Sequence, residues 1–164
     1  MTHIRPSKPM RESQISMMEI VMPNDANTHG NIFGGRVMSL IDIAGAMSAV
    51  RHARHAVVTA SIDRLDFRAP IRVGQFIHLQ ANVNYAGRTS MEVGVRVMGE
   101  HPLTGEMSHT ATAYLVYVAV DKQGQSAEVP EVVPESEDEQ RWYAEAEERR
   151  ARRLADRLRP LMGG

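Results

Sequence analysis

The chain has 164 residues, with 19 Lys and Arg against 20 Asp and Glu for a net charge of −1, and it is 43% apolar and 24% charged. That is the balance of one globular domain and not of a general polyanion binder, which carries an excess of base. With no cysteine there is no thiol nucleophile, thiolate metal site or disulfide, and no G-x-S-x-G elbow offers a hydrolase serine, so any catalysis rests on Asp, Glu, His, Asn, Ser, Thr or Arg.

Residues 1–12 are polar, carry two prolines and predict a mobile lead-in. They contain no apolar core of a signal peptide, and no run in the chain approaches the roughly 20 apolar residues that span a bilayer. A cytoplasmic protein with no membrane or nucleic-acid partner is expected. Ser13 to Met22 reads as a first strand. Pro23 to Asn31 (PNDANTHGN) is dense in turn formers and predicts a loop. Gly34 to Ala53 has no proline and one internal glycine, Gly45, and predicts a long helix.

The period then changes to that of strands. Val57 to Phe67 is rich in β-branched residues, and Phe76 to Ala86 alternates apolar and polar positions. Met91 to Val97 repeats the alternation, and His109 to Val120 is apolar on both faces. Gly87 marks a hairpin between the second and third of these. Strands in series with short connections predict an antiparallel meander, and one helix must cover a face of it. The expected class is α+β, a curved sheet wrapped around one central helix, with a domain over 13–121. Residues 122–164 read as a linker and a charged C-terminal helix. Its thin stripe of Leu154, Leu158 and Leu161 predicts a solvated appendage held by a few leucines, or else a helix for a partner.

The helix is the informative element. From Val37 to Val50 every residue is apolar, small or Ser except Asp42. A helix apolar all round is expected to be buried on all sides. An ionised carboxylate there costs several kcal/mol without a partner, and Asp is a poor helix former in an interior position. Asp42 is therefore either structural, capping a neighbouring loop or paired with an arginine such as Arg64 or Arg68, or is a base or nucleophile in a half-buried cleft. At the helix start, Gly34 and Gly35 would let a ligand reach free N–H groups at the positive end of the helix dipole, which suits a developing oxyanion. They could equally serve close packing. Asn27, His29 and Asn31 on the preceding loop are turn formers or ligands by type alone.

Read together, Met22-Pro23-Asn24-Asp25-Ala26-Asn27, His29-Gly30-Asn31-Ile32-Phe33-Gly34-Gly35 and Ile41-Asp42 form a first block. Val58-Thr59, Phe67-Arg68-Ala69-Pro70-Ile71 and Gly87-Arg88-Thr89-Ser90-Met91-Glu92-Val93 follow in order. Over about residues 14–121 the chain resembles the acyl-CoA hydrolase branch of the hotdog-fold thioesterases. The resemblance implies a hotdog fold and hydrolysis of acyl-CoA to fatty acid and coenzyme A. It implies that Asp42 is general base or nucleophile, and that Asn27 acts across a dimer interface from the other protomer's Asp. Gly34 and Gly35 would polarise the thioester carbonyl, and Arg88, Thr89 and Ser90 would lie near the coenzyme A nucleotide. A homo-oligomer is implied, a dimer of hotdogs and then a trimer of dimers, with no cofactor beyond the coenzyme A of substrate and product.

Two other functions fit the same outline. Hydroxyacyl dehydration needs a His paired with a carboxylate, and the central run carries none. A non-catalytic acyl-CoA sensor would need no Asp in its core helix. The seven histidines show no metal-binding spacing, and His52 and His55 read as cations suited to the helix C-terminus. Of eleven methionines, Met17, Met18, Met22, Met38 and Met47 read as adaptable core filling or as the lining of an acyl tunnel.

Overall fold

The computed structural model describes residues 2–159. Its elements are β1 (Ser7–Pro9), a 3-10 turn (Met10–Ser13), β2 (Ile15–Ile20), α1 (Gly34–Ala53), β3 (Ala56–Ile62), β4 (Phe76–Ala86), β5 (Ser90–Glu100), β6 (Met107–Val120), β7 (Glu131–Val133) and α2 (Glu137–Leu158). β4, β5 and β6 form an antiparallel meander, as their alternation predicts. The complete order is β2-β4-β5-β6-β3, which corrects the simple series. β3 pairs with β6 and not with β4, because α1 delivers the chain to the β6 edge. Residues 63–75 must then cross beneath the N-terminus of α1 to reach β4. The strand expected to run to Phe67 ends at Ile62 for the same reason. Beyond it only isolated bonds tie the crossing segment to β6, from Asp63 N to Tyr114 O and from Arg68 N to Thr110 O.

The sheet curls round α1. Its inner face presents Leu79, Ala81, Val83, Val93, Val95 and Val97, all buried, at the period of two that a pleated strand imposes. This is the expected hotdog architecture. Against these residues α1 buries Val37, Leu40, Ile41, Ala44, Ser48 and Ala49. The helix is not enclosed on all sides, however. Ile43, Met47 and Val50 form a bare stripe, Met38 is exposed nearer the helix start, and Val58 and Ile62 of the edge strand β3 are also exposed. Met18 and Met22 are exposed too, so most of the methionines read as core filling lie on the surface, while among the described residues Met10 and Met91 are the fully buried ones.

The first dozen residues are folded in part, contrary to the mobile lead-in. β1 pairs in parallel with β7, and Arg5 donates to the carbonyls of Val129 and Gly87. His52 is buried with Nε2 2.8 Å from the Pro130 carbonyl. Burial lowers its pKa, so it is a neutral core histidine and not a cation at the helix end.

The C-terminal helix is docked. The acidic run forms its first turn, capped by Ser136, whose Oγ accepts from Glu139 N at 3.1 Å while the Glu139 carboxylate accepts from Ser136 N. α2 lies on the outer face of the sheet. Tyr143 meets Tyr85 at 5.2 Å between ring centroids, and the Arg149 guanidinium sits 3.6 Å above the Tyr114 ring. Arg149 and Arg153 grip the buried Glu92. Leu154 and Leu158, expected to hold the helix, are exposed, and Leu161 lies outside the described residues. The apolar-looking outer side of β6 is thus covered by arginines and aromatics, not by leucines.

Candidate active site

The crossing segment and the 23–34 loop together build a cavity at the N-terminus of α1. The loop folds back on Asn27, whose Oδ1 accepts from His29 N at 2.9 Å and Asn31 N at 3.2 Å. This is an Asx-type turn, formed because a short side-chain amide mimics a backbone carbonyl. The Asn27 oxygen is thus spent on its own loop, and its NH2 is the group left for a ligand. Gly30, at φ 77°, closes the turn. Arg36 ties the loop and β2 to the helix through Asp25 at 3.2 Å and Glu19 at 3.0 Å. The crossing segment is stitched on by Ile32 N to Ile71 O and Val73 N to Gly30 O.

Between them lies a cavity of 320 Å3, lined by Asn27, Asn31, Gly34, Phe67, Arg68 and Thr110 among others. No side chain caps α1 there, and the N–H groups of Gly34, Gly35 and Arg36 have no backbone partner. A Cβ on Gly35 would meet nothing within 4 Å, so this backbone is open to approach. The arrangement is an electrophilic site: unpaired N–H donors at the positive end of a 20-residue helix.

Asp42 sits further along the same helix, roughly 12 Å from its start at 1.5 Å per residue. Neither Arg64 nor Arg68 pairs with it; Arg64 pairs with Asp66. Its Oδ1 instead accepts from Thr59 Oγ1 at 2.8 Å and from the Tyr117 hydroxyl at 2.9 Å. The Tyr117 hydroxyl is also 3.0 Å from the Asp42 carbonyl. Burial, then the hydrogen bond and charge of Asp42, push the Tyr117 phenol well above its ordinary value, so it remains protonated as a donor. With Oδ1 held by two neutral donors, Oδ2 has no hydrogen-bond partner among the described residues. Thr59 reaches Asp42 because it stands directly opposite Tyr117 and shares its face of the sheet; the ladder with β6 shifts only beyond it, at Ala60.

Thr59 and Tyr117 were given no role from sequence. A signal for Tyr117 was present: it shares the inner parity of β6 with Ala113 and Leu115, and a buried phenol requires a partner. Gly45 is the other half of that signal, since a Cβ there would collide with the Tyr117 hydroxyl. Gly45→Ala is therefore expected to push the ring off Asp42. Overpacking of this kind costs about 1–3 kcal/mol in stability, and kcat should fall about tenfold, the worth of a hydrogen bond to a charged group. Thermal unfolding and steady-state rates on the same preparation check both, and an unchanged kcat would remove Tyr117 from the site.

Arg88, Thr89 and Ser90 form the β4–β5 hairpin, closed by Gly87 N to Ser90 O at 2.8 Å. Ser90 pairs with Val118, at the opposite end of β6 from Thr110. Within one chain, the structure therefore joins Asn27 and Gly34 in one cavity, sets Asp42 midway along the helix, and leaves the hairpin at the far end. Among the described residues no group of three or more His, Asp or Glu could hold a metal ion, and no helix is long and apolar enough to cross a membrane.

The chain matches a family model described as the thioesterase superfamily over residues 29–106. It is 44% identical over 129 residues to a Bacillus subtilis protein named as an uncharacterized acyl-CoA thioester hydrolase, covering 79% of this chain and 75% of that one. Among solved structures it is similar to an apo-hexameric acyl-CoA thioesterase, with a TM-score of 0.90, 42% identity, and coverage of 94% of this chain and 99% of the other. It is also similar to an acyl-CoA hydrolase from Staphylococcus aureus in complex with butyryl coenzyme A, coenzyme A and coenzyme A disulfide. There the TM-score is 0.88 at 40% identity, with 93% of each chain covered. That enzyme has also been solved as variants with an aspartate, an asparagine or a threonine replaced by alanine.

Proposed function

The chain belongs to the thioesterase superfamily, among its acyl-CoA thioester hydrolases, and on that ground we propose that Asp42 and Asn27 carry the hydrolysis at a site shared by two protomers. The protein is an enzyme that cleaves the thioester of acyl-CoA into free acid and coenzyme A. The observation that carries the residue assignment is the half-buried Asp42 carboxylate, held by Thr59 and Tyr117 through one oxygen with the other left free.

The chemistry follows from the parts. A thioester carbonyl placed at the start of α1 is polarised by the N–H groups of Gly34 and Gly35, which stabilise the oxyanion as it forms. Asp42 Oδ2 either takes a proton from water as the oxygen attacks, or attacks the carbonyl carbon itself to give a mixed anhydride that water then opens. In either route the C–S bond breaks and the proton removed from water reaches the departing thiolate. The Asn27 NH2 orients the carbonyl or the water. No resident cofactor takes part, since coenzyme A enters and leaves with substrate and product.

Asn27 lines the cavity and Asp42 does not, which supports a site completed by a second chain. The bare stripe of α1 lies beside β3, an edge strand with one neighbour. Antiparallel pairing of two β3 edges about a two-fold axis joins two sheets and covers both stripes. It also brings the Arg88–Ser90 hairpin of each protomer toward the cavity end of the other, where Arg88 can meet the phosphates of coenzyme A through charge-assisted bonds. Three such dimers make a hexamer, the state named for one of the similar structures. A cytoplasmic location completes the reading.

Mixing tests the shared site. Asn27→Ala and Asp42→Ala are each expected to be inactive alone, and exchanging their subunits should restore about a quarter of wild-type free-thiol release, because each mixed dimer regains one intact site of two. No recovery after proven subunit exchange would put both residues in one chain's site.

A further inference from the structure

The first residues of the chain take no part in the chemistry above, yet one of them grips the hairpin assigned to coenzyme A. The Arg5 side chain is 20% exposed. Its Nε donates to the Val129 carbonyl at 2.6 Å, and its Nη2 donates to the carbonyls of Gly87 and, at 3.4 Å, Ala86. Its Nη1 stands 3.6 Å from the Glu131 carboxylate. A guanidinium carries its N–H donors in one rigid plane, and here they are spent on groups of the chain itself. Arg5 is thus committed to the protein and not left open to a ligand's phosphates.

What the fork holds is the turn between β4 and β5. Carbonyls at a hairpin tip fall to water unless another part of the chain binds them. Here Ala86 and Gly87 are taken by Arg5, and Arg88 O accepts from Val129 N at 2.9 Å. Thr89 O accepts from Ala119 N at 2.9 Å, and Ser90 O from Gly87 N at 2.8 Å. All five carbonyls of the tip therefore have partners within the chain. Arg5 is itself anchored by the β1–β7 ribbon, where Glu131 N donates to Pro6 O at 2.9 Å. Ala86 and Gly87 are buried under this clamp, while Arg88 is exposed.

We propose that Arg5 is a positioning residue for acyl-CoA: by pinning the backbone of the tip it holds Arg88 where the coenzyme A phosphates arrive. It acts on KM and not on the bond-breaking step, since it touches neither the thioester nor Asp42. A tip already ordered in the free enzyme spares the loss of freedom that binding would otherwise cost. This role rests on the placement of the coenzyme A nucleotide at the Arg88–Ser90 hairpin.

The test is a cycle of Arg5→Ala, Arg88→Ala and the double variant, each measured on an acyl-CoA and on the same acyl group carried by N-acetylcysteamine, which has no nucleotide. Arg88→Ala is expected to raise KM for acyl-CoA about tenfold, the worth of a charge-assisted bond to phosphate. Arg5→Ala should raise it about fivefold, and the double variant only about tenfold, because Arg5 has nothing to position once Arg88 is gone. For Arg5→Ala, kcat on acyl-CoA and the rate on the nucleotide-free thioester should stay within about twofold of wild type. Multiplying effects in the double variant, or equal losses on both substrates, would overturn the proposal and make Arg5 a general support of the fold. Arg5→Lys keeps the charge and the stem but cannot span the carbonyls, and it keeps the test open if the alanine variant fails to fold. A rise in KM of at least about threefold supports the clamp, and a wild-type KM overturns it. A higher KM in Arg88→Ala with no change in Arg5→Ala would remove the positioning role and leave the hairpin site standing. No change in Arg88→Ala would remove the nucleotide from the hairpin, and the role of Arg5 with it. Titration calorimetry with coenzyme A reads the same cycle in Kd without turnover, so the expected shifts in Kd without hydrolysis by wild type would overturn the assigned reaction and leave the clamp standing.

Discussion

Asp42→Asn is expected to lower kcat for acyl-CoA hydrolysis by at least about 100-fold, the lower range for removal of a general base, with little change in stability. Asparagine has the shape of aspartate, and its carbonyl oxygen can still accept from Thr59 and Tyr117, which meet Oδ1 at 2.8 and 2.9 Å. The helix and the bulged strand therefore keep their contacts. What disappears is the free Oδ2, replaced by an NH2 that can neither take a proton nor attack a carbonyl. The measurement is free-thiol release from acyl-CoAs of several chain lengths, with KM determined separately. A loss confined to KM, or a rate equal to wild type, removes Asp42 from the chemistry. A single wild-type turnover in heavy-oxygen water then tests attack by Asp42. Ordinary oxygen in the first product, with the heavy isotope in Asp42, identifies attack by Asp42 and opening of the anhydride at the Asp42 carboxyl; heavy isotope in the acid with Asp42 unlabelled excludes that course.

Glu92→Ala should destabilise the fold by about 3 kcal/mol, the cost of breaking a buried ion pair by removing one member. The Glu92 side chain is 1% exposed. Its Oε1 takes two bonds from Arg149, at 3.0 Å from Nε and 2.6 Å from Nη2. Its Oε2 takes Arg153 at 2.9 Å, and Arg153 also reaches Asp63 at 3.0 Å. Alanine would leave the Arg149 guanidinium largely buried over the sheet without a carboxylate, and Arg153 with Asp63 alone. They can regain water only if α2 lifts. Denaturant unfolding is expected to show the lower stability, and limited proteolysis should cut α2 first. A loss under about 1 kcal/mol with α2 still protected would mean that Tyr143, Trp142 and Ala146 hold the helix unaided.

How much of this was legible in the sequence depended on whether the cause was local. The limits of α1, the alternation of β4 and β5, and the oddity of Asp42 in an apolar helix all lie in neighbouring residues, and all appear where expected. The strand order was not local: nothing in residues 56–62 states that they pair with 115–120 and not with 76–86. Tyr117 and Gly45 are complementary across 72 positions (117 less 45), and the bulge at Ala60 is a property of paired strands. The docking of α2 was misread because its leucines follow the familiar helical period, whereas its attachment runs through Arg149 and Arg153. Long side chains can cover apolar surface while their charges are neutralised by a partner elsewhere in the chain.

The bare edge of β3 makes solitary existence hazardous for this polypeptide. Edge strands in lone proteins are commonly guarded by a charge, a proline or an inward-pointing lysine that spoils pairing. The seven residues of β3, AVVTASI, contain none of these, and they lie beside an exposed row of methionine, isoleucine and valine. A newly made chain presents an open ladder to whichever strand arrives first. If the proposed β3 dimer forms, self-recognition must outrun misassembly, and concentration in the cell becomes a determinant of folding quality. Any substitution that slows the chain from finding its own copy would act on solubility before it acted on turnover.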